Sequence, residues 1–158
     1  MGKITVRMAV EADIDAIHAL FLDRFPFLQE CAEKARLDVF NRITREDSAT
    51  VVAMLDDQLT AVARGYENQG LYLMNSICTA PGLSLINSGR VIMALLPYFV
   101  EVCIGHAKRL GMAKAFYSTQ VGSIAALVPK LCKINGYTIS PGQHGGEDGF
   151  WIVPVEAR

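Results

Sequence analysis

A mixed α/β domain, with a mostly antiparallel central sheet flanked by helices, is the fold class this sequence predicts, and three observations predict it. Three apolar runs of period two follow one another between Ala49 and Cys78, separated only by short polar turns. Two segments of helical period precede these runs, and a long apolar helical segment follows them. A short strand, a further helix and two closing strands then complete the order β-α-α-β-β-β-α-β-α-β-β.

Composition bounds the function. With 158 residues, 51% of them hydrophobic, the chain reads as one domain over residues 1–158, large enough to bury its own core. The net charge of -1 and the scattered Lys and Arg residues give no nucleic-acid footprint, which leaves only a basic patch assembled in the fold as a route to one; no nucleic-acid partner is expected. Cys31, Cys78, Cys103 and Cys132 form no CxxC pair, and each lies in an apolar context; they read as buried thiols of a reducing compartment. The opening MGKITVRMAVEAD has no hydrophobic signal core, and Val6 stands where myristoylation requires Ser or Thr. No apolar run is expected to reach the ~20 residues of a membrane span. The expectation is a cytoplasmic protein without membrane contact.

Ile4 to Val10 alternates as a strand. In EADIDAIHALFLDRF the residues Ile14, Ile17, Leu20 and Phe21 share one helical face, Asp13 and Asp15 favour the helix start, Arg24 favours its end, and Pro26 stops it. LQECAEKARLDVFNRI repeats the pattern with Leu28, Ala32, Ala35, Val39 and Ile43 inward. ATVVAML and QLTAVARGY flank a tight turn at Asp56-Asp57, and Glu67 to Gly70 separates the second run from LYLMNSIC. In the long helix, Leu96, Phe99, Val100, Cys103, Ala107 and Leu110 form the buried stripe, with Glu101, Lys108 and Arg109 in water. MAKAFYST is a short strand, VGSIAALVPKLCKIN a helix closed by Gly136, and Tyr137 to Ser140 and Phe150 to Val155 are strands around a loop, PGQHGGEDG.

The junction of LYLMNSIC with the long helix draws attention. A helix fed directly from a strand leaves its first N–H groups unpaired beside the positive end of its dipole, which suits phosphate. Ser88, Gly89 and Arg90 are the candidate donors; an ordinary Asn-Ser-Gly turn is the alternative. Pro97 leaves two helix starts open. A start at Gly89 puts Pro97 in the interior, and a start near Leu96 puts it in the first turn.

This order of elements resembles the GNAT superfamily of acyl-CoA-dependent N-acyltransferases over nearly the whole chain. The pyrophosphate motif of that family, Q/R-x-x-G-x-G/A, falls on Ser84-Leu85-Ile86-Asn87-Ser88-Gly89, where the last glycine matches, Asn87 replaces a glycine and Ser84 the Gln or Arg. The resemblance implies acetyl-CoA as acyl donor, held by Ser84, Asn87, Ser88, Gly89 and Arg90. It puts the pantetheine arm on the backbone of Ile77, Cys78 and Thr79, and it implies a small-molecule or peptide amine as acceptor. The family commonly has a carboxylate base on the strand before the loop; here Tyr72, Asn75 and Ser76 are the polar side chains, and Asn75 is the candidate to polarise a carbonyl. Its acid is a tyrosine four residues before a Gly-aromatic pair, a position that corresponds to Cys132. His144, with Glu147 and Asp148 in the last loop, borders the acceptor site by the same resemblance, and Tyr72 is a second substrate-side candidate. Proton transfer then runs through water. No residue spacing suggests a metal site.

The altered base, acid and loop glycines also fit a second expectation, a GNAT-like binding or structural protein without transfer activity. Small GNAT-like proteins encoded by bacteriophages are similar in having a long helix after a Ser-Gly pair and a late helix ending like Lys133-Ile134-Asn135-Gly136. Exposed strand edges point to a homodimer.

Overall fold

The computed structural model describes residues 2–112, 114–118, 129–144 and 147–153. β1 (Ile4–Met8) leads through a short 3-10 turn into α1 (Ile14–Arg24), a second 3-10 segment (Pro26–Cys31) and α2 (Ala32–Thr44). The meander β2 (Ser48–Leu55), β3 (Gln58–Asn68) and β4 (Leu71–Thr79) follows, then α3 (Leu85–Arg109), β5 (Ala115–Ser118), β6 (Thr138–His144) and β7 (Glu147–Val153). Residues 129–134 are helical and belong to the expected late helix; its first part, residues 121–128, lies outside the described residues, as does Thr119 at the end of the short strand expected over MAKAFYST.

Among the described residues the strands form one seven-stranded sheet in the order β1-β2-β3-β4-β5-β7-β6. Every pairing is antiparallel except β4 with β5, the two strands that α3 joins. Two-residue turns close the meander. Asp56 and Asp57 have φ of 50° and 64°, and Gln69 and Gly70 have 52° and 81°, the pair of positive values that a type I′ hairpin turn demands.

The two sheet faces have different covers. Under α3 the strands present small side chains, Ala49, Ala53, Ala61 and Ala63, so that Leu95, Phe99 and Cys103 can seat close to the backbone. Under α1 and α2 lie Val52, Val62 and Cys78, packed by Ile14, Ile17, Leu20, Phe21 and Val39. The predicted inward stripe of α1 is therefore the buried one.

Several expectations need correction. α3 begins at Leu85, earlier than either expected start, and runs through Pro97 without interruption. Pro97 removes the donor for the Met93 carbonyl, and Met93 is 48% exposed, so water can serve that carbonyl. With 25 residues, α3 is also long and apolar enough by length and composition to cross a membrane, contrary to the expected limit, but half of its most apolar window is buried in the domain. Leu110, expected in the stripe, is 45% exposed because the helix ends at Arg109. Cys31 is exposed, at the junction of the 3-10 segment with α2. Finally, PGQHGGEDG is largely strand: Pro141 pairs with Phe150, Gly142 with Gly149 and His144 with Glu147, and Gly145-Gly146 between them lie outside the described residues.

Candidate functional site at the β4–β5 wedge

The site is built by a register fault in β4. Val62 pairs with Cys78, but Arg64 pairs with Asn75, so two residues, Ser76 and Ile77, oppose Ala63 alone. One extra residue is a β-bulge, which bends its strand, sharpens the twist and reverses the side-chain alternation beyond it. The reversal is visible in the packing. Tyr72 and Met74 face α3, whereas Cys78 faces α1 and α2, and Ile77 takes over on the α3 side.

Beyond the bulge β4 has no second strand partner among the described residues. Among the described residues β5 pairs with β4 only at Tyr72, Leu73 and Met74, leaving a wedge along Ile77 to Thr79. The orientation of the peptide groups there follows from the ladder. The Ala80 N–H donates to the Thr60 carbonyl at 2.7 Å, so Thr79, opposite Ala61, belongs to a pair whose N–H and C=O both point away from β3. They point into the wedge.

Past the wedge the chain turns at Pro81-Gly82, with Gly82 at φ +81°, the left-handed value that a Pro-Gly turn requires. Ser84 then caps α3. Its hydroxyl accepts from the Asn87 N–H at 3.1 Å, and its carbonyl accepts from the Ser88 N–H at 2.8 Å. The cap corrects the expected donor set. Asn87 and Ser88 have engaged amides, and those of Gly89 and Arg90 point back into the first turn as helix N–H groups do. The amides left over at the start of α3 are those of Leu85 and Ile86, residues that are 90% and 74% exposed.

The remaining predicted residues are dispersed. Arg90 donates to the Asn87 side-chain carbonyl at 3.2 Å and to the Gly2 carbonyl at 3.0 Å, tying α3 to the start of β1 instead of pointing freely to the corner. Asn75 is the last β4 residue before the bulge. Tyr72 is fully buried beneath α3, with its ring 6.1 Å from that of His106, and burial pushes its phenol far above the usual range; it is not a surface for substrate. Cys132 is 1% exposed in the α3 core, away from solvent, and burial pushes its thiol up to about 11. His144 sits on β6, not in a loop, edge-on to Phe116 at 5.6 Å and to Trp151 at 6.5 Å.

Sequence reasoning missed Arg24. Read as a charge that favours the end of α1, it reaches across to β4, where Nε donates to the Thr79 carbonyl and Nη2 donates to the Thr79 hydroxyl at 3.2 Å and the Ala80 carbonyl at 3.4 Å. Nothing in the local pattern links positions 24 and 79. The bulge was equally silent, because LYLMNSIC is apolar on both faces. Among the described residues no group of His, Cys, Asp and Glu could hold a metal ion.

No family model matches the sequence, and no curated protein matches it in sequence. Solved structures do match in fold. PaiA N-acetyltransferase from Thermoplasma acidophilum, determined in complex with coenzyme A, superposes with a TM-score of 0.61 at 13% identity, over 96% of this chain and 99% of that one. Aminoglycoside 6'-acetyltransferase type Ii gives 0.59 at 11% identity, over 98% and 99%. RimL, an alpha-N-protein acetyltransferase also determined with coenzyme A, gives 0.59 at 15% identity, over 96% and 94%. The chain therefore has the fold of the GNAT acyl-CoA N-acyltransferases, and the element order expected from the sequence is that of the fold.

Proposed function

We propose that the protein is an acyl-CoA-dependent N-acyltransferase that uses the β4–β5 wedge, with acetyl-CoA as donor and a small-molecule or peptide amine as acceptor. The observation that carries this reading is the bulge at Ser76-Ile77 together with the end, among the described residues, of β4–β5 pairing at Met74, which leaves the Thr79 N–H and C=O directed away from β3 without a strand partner there. A pantetheine arm is a chain of amides, and an unpaired strand edge is the surface that amides fit. The amides of Leu85 and Ile86 at the start of α3 suit a pyrophosphate. When bound, the cofactor would supply an activated thioester.

The chain's own part is then to bind, orient and admit water. Neither Tyr72 nor Cys132 reaches solvent, so proton movement from an acceptor amine falls to water in the wedge. That same burial favours a second reading, a GNAT-fold module that binds a coenzyme A-like ligand without transferring the acyl group. Calorimetry with acetyl-CoA, followed by thiol release with a panel of amines, separates the two. Binding with release supports the transferase, binding without release supports the module, and no heat at millimolar acetyl-CoA overturns both.

A further inference from the structure

We propose that Arg24 is a displaceable latch: it holds the Thr79 carbonyl until a phosphopantetheine-type ligand pairs with that edge of β4, and its freed guanidinium then takes the ligand's phosphate. The proposal rests on the coenzyme A reading above and goes beyond it by assigning a residue outside the helix corner.

Three observations converge on Arg24. First, the carbonyl it covers is the one whose direction the β3–β4 ladder fixes toward the wedge, so the contact lies on the surface a ligand amide would use. Second, the contact is easily exchanged. The residue is exposed, and an exposed Arg bonded to neutral carbonyls gains little net energy over hydration. Third, its charge is not neutralised. Arg7, Arg36, Arg42, Arg45 and Arg64 each have a carboxylate partner, whereas Arg24 has none among the described residues. Arg90, the other cation near the corner, is held by Gly2 and Asn87.

The exchange is chemically balanced. A ligand amide N–H replaces the guanidinium as donor to the Thr79 carbonyl, and the planar fork of Arg24 becomes available for two oxygens of one phosphate. Ala80, its third contact, directly follows β4 in the segment that leads to the Ser84 cap, so the guanidinium sits at the end of the strand from which α3 is fed.

The test is a calorimetric comparison of two probes, coenzyme A and pantetheine, which share the amide arm but differ in phosphate. For Arg24→Ala we expect coenzyme A to bind about tenfold more weakly and pantetheine to bind more tightly, by about two- to fivefold, because a competitor for the edge is gone. Arg24→Lys keeps the charge without the fork, and coenzyme A should fall between wild type and Arg24→Ala. Salt near 0.5 M should narrow the coenzyme A difference and leave the pantetheine gain. An equal loss for both probes, or no change in either, overturns the latch while leaving the coenzyme A reading intact. Failure of wild type to bind either probe overturns that reading and the latch together.

Discussion

Arg7 grips Asp13 with both prongs of its guanidinium, Nη1 to Oδ2 at 2.6 Å and Nη2 to Oδ1 at 2.9 Å, and so clamps the end of β1 to the start of α1. Oδ2 also accepts the Val10 N–H at 2.8 Å, the reach-back of an acidic residue to the amide that precedes a helix. The hydrogen bond from Arg7 is the largest cause holding the Asp13 carboxyl below its ordinary range, against the opposing effect of burial. Folding thus favours the ionised carboxylate. Its contribution is complete above the unfolded carboxylate pKa of about 3.9 and is lost as pH falls through the lower folded value. Asp13→Asn should cost about 1.5–3 kcal/mol at neutral pH by denaturant unfolding, with the gap from wild type closing as the pH is taken into the acid range. A gap indifferent to pH would show that the charge is not what matters.

Two glycines should respond to alanine with opposite signs. A Cβ at Gly65 would stand 2.7 Å from the Cys103 sulfur and 3.0 Å from the Tyr72 ring, where α3 packs on the sheet. Gly65→Ala should therefore destabilise by about 1–3 kcal/mol through overpacking. Gly105 lies on the open side of the same helix, and a Cβ there meets nothing within 4 Å. Gly105→Ala should stabilise by about 1 kcal/mol through helix propensity alone, read from the same unfolding curves.

Ile14, Ile17, Leu20 and Phe21 declared their helix because one face alone is apolar, and Asp56-Asp57 declared its turn because the flanking strands alternate. The start of α3 stayed hidden because Leu85 and Ile86 are apolar yet exposed, and Asn87-Ser88-Gly89 are poor helix formers; the Ser84 cap outweighs them. Gly142 and Gly149 looked like a loop, whereas they are glycines within strands that must pass beneath other groups. A Cβ at Gly142 would lie 2.6 Å from the Trp151 indole nitrogen, and one at Gly149 would overlap the Tyr117 carbonyl. The wedge itself depends on long-range pairing, and Arg24 on a contact across the fold, neither of which periodicity encodes.

Thiol labelling should distinguish one cysteine from three. Cys31 is exposed, while Cys78, Cys103 and Cys132 are buried in two different cores. Burial pushes the Cys78 thiol up to about 12 and Cys132 up to about 11, and drives Cys103 upward as well, so all three lack both access and thiolate. In native protein near pH 8 an aromatic disulfide reagent should titrate one thiol per chain promptly, and the Cys31→Ser variant none. Prompt reaction of the variant would mean that a core is open.

Ser84 allows the fold and the ligand to be tested apart. Its hydroxyl oxygen holds the Asn87 amide, so Ser84→Ala should lower stability by about 1 kcal/mol and speed hydrogen exchange at Asn87. Ser84→Asp preserves the capping oxygen and adds a negative charge that the helix dipole welcomes, so stability should hold or rise. The same charge repels an anion seated on the Leu85 and Ile86 amides. Ser84→Asp should therefore bind coenzyme A about tenfold more weakly than wild type while melting no earlier, and pantetheine, which lacks phosphate, should be insensitive to the change. Undiminished coenzyme A affinity in this variant would move the phosphate away from the start of α3 and leave the wedge edge at Thr79 as the main holding surface.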